Sequence, residues 1–293
     1  MKFVYSLMLS LLLTACAFAG KPPNHVPLFD TTVLTEIPPD FYDRGMTKAP
    51  VIYEREFWPP GGTPNFTWAD AAYISELAKS FEGVPVVWFD IEGNSGHPEL
   101  KFWNFRSKDP AIRAGAIQRY QWVIQAWAWS NPDTKLVLYG FPTFPVWDLI
   151  SGEGTASHYE RAEDLKKITQ HPSVIGLWPG TYWKNHDRPD HQKRAYDVVV
   201  DICKNVYELP CYFSISPGSG WSWSSQTTVR YQLNAMTKAG AAGIAIWIPA
   251  AMMNDDYNNK LKAWRNMGGS EGRYTENSTF WLESIDRYLP SAE

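Results

Sequence analysis

The sequence predicts an α/β fold: a single domain whose parallel strands close into a TIM-like (β/α) barrel. Three observations carry this expectation. Six apolar runs of strand length alternate with segments of helical spacing, the order of a parallel sheet covered by helices. No glycine-rich phosphate turn follows the first run, which weighs against an open, doubly wound nucleotide-binding sheet. No linker, repeat or low-complexity tract divides residues 21–293, so one domain is the better reading.

The elements follow in order. Residues 1–20 read as a signal peptide: Lys2 near the start, an apolar stretch from Val4 to Leu13, then small residues, too short and wrongly flanked for a membrane span. Two processing outcomes compete. Ala17-Phe18-Ala19 fits the small-x-small cleavage rule and would release a secreted or periplasmic protein. The Leu-Thr-Ala-Cys run ending at Cys16 fits a lipoprotein box, in which case an acylated Cys16 anchors the chain to the cell envelope. Residues 21–47, rich in Pro, Thr and Asp, read as an irregular lead-in. Strand-length runs then occupy 50–57, 84–91, 135–141, 173–178, 210–215 and 243–248, with one or two further strands expected within 30–47 or 95–107. Between them, Thr67 caps one helical segment, Asp109-Pro110 opens a long second one, and Gly240 closes the last.

Composition narrows the function. Lys and Arg number 27 against 31 Asp and Glu, and no basic patch interrupts the mildly acidic balance, which argues against a nucleic-acid partner. Beyond Cys16 only Cys203 and Cys211 remain, either a disulfide in an oxidising compartment or two buried thiols. Aromatic residues make up 15% of the chain, with 15 Trp. In an exported protein that content fits stacking platforms for sugar rings, and equally a Trp-heavy core.

The chemistry concentrates at the end of the second run, Val84 to Gly96. Side chains alternate along a strand, so Trp88, Asp90 and Glu92 share one face while Val87, Phe89 and Ile91 take the other. In a (β/α) barrel the C-terminal strand ends carry the active site. Two positions along a strand separate the acids by roughly 6.5–7 Å at the backbone. At that range one ionised carboxylate opposes ionisation of the other, and partial burial adds to the effect. One acid then keeps its proton near neutrality, as a general acid for a glycosidic bond must. The plain alternative is a solvated strand end or a helix cap. The other strand ends tip the balance. Tyr139, Trp178 with Tyr182, Ser216 with Trp221, and Trp247 would ring a single cleft with aromatic groups.

These residues also carry a resemblance. Asp90-Ile91-Glu92, Tyr139-Gly140-Phe141-Pro142, Pro179-Gly180-Thr181-Tyr182, Leu209-Pro210 and the run from Gly240 to Trp247 come in one order. That order and much of the spacing over residues 84–250 resemble the hyaluronidase family of glycoside hydrolases. The resemblance implies a distorted (β/α) barrel that cleaves an N-acetylhexosamine linkage with retention and needs no cofactor. It implies Glu92 as proton donor and Asp90 as support for the substrate acetamido group, whose carbonyl oxygen is the nucleophile. It implies Tyr182 as the residue positioning that group, and Tyr139 and Trp247 as sugar-site residues. The sequence departs from the family where Gly93-Asn94 follows the acid pair and where Phe144 stands in place of a cysteine. The acidic balance also lacks the basic groove that would favour a polyanion. The substrate class implied is thus a hexosamine-containing oligo- or polysaccharide, with hyaluronan, a neutral or cationic polymer and a glycoprotein glycan all open.

Other candidate residues stand beside the pair. Glu54 and Glu56, ending the first run on one face, offer a second carboxylate for a two-acid glycosidase or a structural ion-pair network. His97 reads as a cleft loop residue. His186, Asp187, Asp190 and His191 match no tight zinc spacing and read as a polar loop opening a helix. Trp221 and Trp223 in a Gly-Ser loop read as a mobile rim over the sugar site. Ser216 and Ser219 lack a nucleophile-elbow context. The expected protein is a retaining glycosidase with Glu92, Asp90 and Tyr182 catalytic, and Tyr139, Trp178, Trp221 and Trp247 binding substrate. The alternatives are a two-carboxylate glycosidase of another family and a non-catalytic glycan-binding barrel.

Overall fold

The strands found in the structure are mostly those expected, and their ends explain the site. The structure is a computed structural model and describes residues 25–31, 38–59, 66–92, 100, 102–105, 107–141, 155–179, 189–215, 218–219, 222–223, 226–247 and 277–290. The described strands are β1 (Leu28–Asp30), β2 (Thr47–Lys48), β3 (Val51–Tyr53), β4 (Val86–Asp90), β5 (Lys135–Tyr139), β6 (Val174–Trp178), β7 (Tyr212–Ile215), β8 (Gly218–Ser219), β9 (Ser222–Trp223) and β10 (Gly243–Ile246). The described helices are α1 (Pro39–Asp43), α2 (Trp68–Lys79), α3 (Phe102–Phe105), α4 (Pro110–Ser130), α5 (Thr155–Thr169), α6 (Pro189–Ile202), α7 (Gln226–Ala239) and α8 (Asn277–Tyr288).

Two four-stranded parallel sheets run in the orders β2-β1-β10-β7 and β3-β4-β5-β6. They approach each other twice. The chain passes from β2 to β3 through Ala49 and Pro50 alone, so one extended segment bonds both sheets. Ala49 N–H donates to Asp30 O at 2.9 Å, and Trp88 N–H donates to Pro50 O at 2.9 Å. On the far side Leu177 bridges Cys211 in parallel, with Leu177 N–H donating to Pro210 O at 3.0 Å.

The lead-in is not wholly irregular, because β1, α1 and β2 lie within it. The first strand-length run is strand only to Tyr53. It continues as a single tight turn from Glu54 to Phe57, so Glu54 and Glu56 do not share a strand face.

The alternation read from the sequence places the core. Val87, Phe89 and Ile91 of the β4 segment, with Leu136 and Leu138 of β5, pack outward among the helices. Trp88, Val137, Tyr139 and Trp178 face inward and pack together. The inner space is filled by rings. Trp88 lies 4.9 Å from Trp178 and 5.4 Å from Tyr212, centroid to centroid, and Tyr139 lies 4.8 Å from Trp178. Two glycines make room for this. A Cβ on Gly176 would stand 2.4 Å from the Tyr212 ring, and one on Gly243 would stand 2.5 Å from the Phe29 ring. Among the described residues Trp58, Trp88, Trp127 and Trp178 belong to the core.

Local signals set the helix ends as read. The Thr67 N–H donates to the Asp70 carboxylate at 3.1 Å, a reciprocal cap that opens α2. Asp109 Oδ1 accepts from Ala111 N–H at 2.8 Å ahead of Pro110 at the start of α4. Gly240 stops α7 with φ of +90°, a left-handed conformation that costs glycine little. The C-terminal helix is tied back to the first strands. Arg44 pairs with Asp286 and donates to Pro290 O at 2.6 Å, and Val26 N–H donates to Tyr288 Oη at 2.8 Å. Cys203 and Cys211 are buried free thiols in hydrogen-bonding contact, and burial pushes the Cys211 thiol well up. Among the described residues no helix is long and apolar enough to cross a membrane.

Candidate active site

Asp90 is the last residue of β4 and sits in register with Tyr53, the last residue of β3. The same parity that turns Trp88 inward turns Asp90 inward above it. The carboxyl is 9% exposed, and its Oδ1 has no hydrogen-bond partner among the described residues. Burial first, then the negative charges of Glu92 and Glu54, push its pKa up to about 8. Asp90 is therefore a neutral acid at neutral pH. Glu92, two residues further, stands just past the strand end and is half-buried. A carboxyl that retains its proton beside a second, more accessible carboxylate is the arrangement that general acid catalysis needs. One protonated acid of the two is expected from the sequence, with Glu92 as the donor; the pKa raised by burial and neighbouring charge is that of Asp90.

Aromatic groups surround the pair from neighbouring strand ends. Tyr53 and Trp247 are joined by a side-chain hydrogen bond, which links the ends of β3 and β10. Burial raises the Tyr53 pKa, partly offset by that bond, and the nearby Asp90 charge raises it further. Tyr120, on α4, is fully buried, and its hydroxyl is pushed well up by burial and by the charges of Asp90 and Glu54. Its ring stands 5.5 Å from Phe141 at the end of the β5 segment.

The sequence-derived site residues fall into three groups. Asp90 and Glu92 come together as expected. Tyr139 and Trp178 are buried, at 5% and 0% exposure, while Trp247 is half-buried at the end of β10. Tyr139 and Trp178 are in ring contact with each other, and Trp178 with Trp88, so Trp178 stands as packing beneath the acids. Tyr182, Trp221, His97, Ser216, His186 and Asp187 lie outside the described residues. The backbones of Asp190 and His191 are described at the start of α6, and those of Ser219 and Trp223 in the β8–β9 hairpin. Among the described residues no group of three His, Cys, Asp or Glu side chains is placed to hold a metal.

Sequence reasoning missed Tyr53, Tyr120 and the separate fates of Glu54 and Glu56. Glu56 is exposed and accepts from Tyr53 N–H at 2.7 Å, a capping contact. Glu54 is 4% exposed and lies within electrostatic reach of Asp90. The one available signal was the Tyr53-Glu54 pair at a strand end facing the Asp-x-Glu strand.

No protein-family model matches the sequence, and no curated protein matches it. Solved structures do. Bee venom hyaluronidase, in complex with a hyaluronic acid tetramer, matches with a TM-score of 0.52 at 12% identity, over 83% of this chain and 96% of that one. A second crystal form of bee venom hyaluronidase gives 0.45 at 12% identity, over 82% and 71%. The class defined is an α/β fold of parallel strands and covering helices. Within that class the architecture is similar to that of bee venom hyaluronidase, in agreement with the motif order from Asp90 to Trp247.

Proposed function

We propose that this protein is a retaining glycoside hydrolase that cleaves a hexosamine-containing glycan, with the substrate acetamido group as nucleophile. The observation that carries the reading is the inward-facing Asp90, neutral at neutral pH, next to the accessible Glu92 at one strand end. In this reading the two sheets form one distorted barrel. Its closing contacts are the Ala49–Pro50 crossing and the Leu177–Cys211 bridge. The likeness of fold to bee venom hyaluronidase supports it, as do the motifs shared with that family.

The acids then carry one proton between them. When a sugar occupies the site, the proton passes from Asp90 to Glu92, which delivers it to the glycosidic oxygen as the C1–O bond breaks. The acetamido carbonyl oxygen closes on C1, and Asp90, now ionised, accepts a hydrogen bond from the acetamido N–H. Water next attacks C1 from the vacated face and yields its proton to Glu92, and the ring intermediate reopens with the anomeric configuration retained. Tyr182 orients the acetamido group in this scheme, and Tyr139, Trp221 and Trp247 border the sugar. Trp178 supports them from below. With a formal net charge of −4, the chain suits a neutral hexosamine polymer or glycoprotein glycan better than a polyanion. Residues 1–20 would export it, to the envelope if Cys16 is acylated.

The test is product sizing and anomer analysis on a panel of N-acetylhexosamine polymers, with Glu92→Gln beside the wild type. The variant should lose turnover by about three or more orders of magnitude, from loss of the general acid and of anchimeric timing, while its unfolding midpoint is kept. Hydrolysis by Glu92→Gln at a near-normal rate would rule the assignment out.

A further inference from the structure

We propose that Glu54 is a positioning residue for the acid pair, its carboxylate buried at the strand end that carries Asp90 and Glu92. The catalytic consequence rests on the glycosidase reading above. The electrostatic claim does not.

The geometry fixes Glu54 from both sides. Tyr53 and Asp90 are register partners, so the residue after Tyr53 emerges at the same sheet end as the acids. Instead of continuing as strand, the chain folds into the turn Glu54–Phe57. Glu56 secures that turn from outside by accepting the Tyr53 N–H. Phe57 secures it from inside, fully buried, with its ring 4.8 Å from Phe89. Glu54, the first residue of this turn, is 4% exposed. Its charge acts on Asp90 of β4 and on Tyr120 of α4.

The groups facing Asp90 from the described elements are Glu92 at its own strand end, Glu54 from the turn after β3, Tyr53 from β3 and Tyr120 from α4. Both charges acting on Asp90 are negative. A glutamine would fill the Glu54 space with the same volume. What a carboxylate adds there is a field that favours a neutral Asp90, so that the couple retains its proton to higher pH. Burial to this degree also leaves Glu54 poorly placed to attack a sugar, which separates its role from that of a carboxylate nucleophile.

The experiment is Glu54→Gln in the otherwise unaltered protein, with two readouts. Carboxyl-carbon NMR, assigned by subtraction of Asp90→Asn, follows the Asp90 titration directly. The pH profile of kcat/KM on the cleaved N-acetylhexosamine polymer follows the couple in turnover. A like charge removed from this buried strand end should lower the Asp90 midpoint by about one to two pH units. The alkaline limb should move to lower pH by a similar amount, since the couple then loses its proton earlier. Should Glu54→Gln fail to fold, Glu54→Met, uncharged and of similar volume, is read the same way. An Asp90 midpoint that stays put or rises in the folded variant overturns the proposal. Should the wild type cleave no polymer, the glycosidase reading fails, while the Asp90 titration still decides the role of Glu54.

Discussion

Replacing Asp90 by Asn should stabilise the fold, and by an amount that grows with pH. The carboxyl has an ordinary pKa of 3.8 and one of about 8 in the fold. Because the folded value is raised, the folded state binds a proton that the unfolded state releases across that window. In strong acid both states are protonated and Asp90 contributes no pH dependence. From about pH 4 upward the unfolded chain ionises while the folded one does not, and each unit costs folding about 1.4 kcal/mol. The penalty levels off above about pH 8, where both states are ionised. A window of about four units would reach on the order of 5 kcal/mol, and relaxation of the site and water entry bring the expected value to about 3 kcal/mol. Asparagine keeps the shape and removes the charge. The advantage of Asp90→Asn over wild type should therefore be near zero at about pH 4 and on the order of 3 kcal/mol at about pH 8. Urea denaturation followed by tryptophan fluorescence, at several pH values and with both proteins, measures it directly. Parallel stability curves for the two proteins would refute the buried, neutral Asp90. A stabilised Asp90→Asn with impaired hydrolysis would show that the site costs stability for function.

Two further predictions concern the frame around the site. Gly176→Ala sets a methyl group 2.4 Å from the Tyr212 ring and should cost about 2–3 kcal/mol by overpacking, read as a lowered urea midpoint; an unchanged midpoint would mean that the inner rings have room to shift. Arg113, 5% exposed on α4, donates to Asp164 of α5 at 2.8 Å and to Ser107 O at 2.7 Å. Arg113→Ala should cost about 2–3 kcal/mol near neutral pH, a value kept low because Asp164 is a third exposed. The Arg113 hydrogen bond holds the Asp164 carboxyl below its ordinary range, so this contribution is present above the unfolded pKa and fades as pH falls through the folded one. Equal losses at neutral and strongly acid pH would contradict that account.

Much of the frame could be read from short-range pattern. Alternation sorted Val87 and Phe89 from Trp88 and Asp90 because a strand has only two faces. The caps at Thr67 and Asp109 and the stop at Gly240 were readable because each depends on residues within one turn. β1 and β2 could be expected only as one or two unplaced strands within 30–47 or 95–107, for the same reason. With three and two residues they are too short for any period to show, and they exist as strands only because β1 pairs with β10 on one side and with β2 on the other. Glu54 and Glu56 looked equivalent until the turn after Tyr53 sent one inward and used the other as a cap.

The order of the chain alone thus set which residues lie on each strand face, where the helices begin and stop, and that two acids end one strand together. Folding decided how deep each of them sits. Exposure of Trp178 depends on Trp88 and Tyr139 from two other strands, and the raised pKa of Asp90 depends first on burial, then on Glu92, and then on a glutamate from a turn 36 positions earlier in the chain. Periodicity and capping act over a few residues, whereas burial and electric field sum over every segment brought near, and so belong to the assembled molecule.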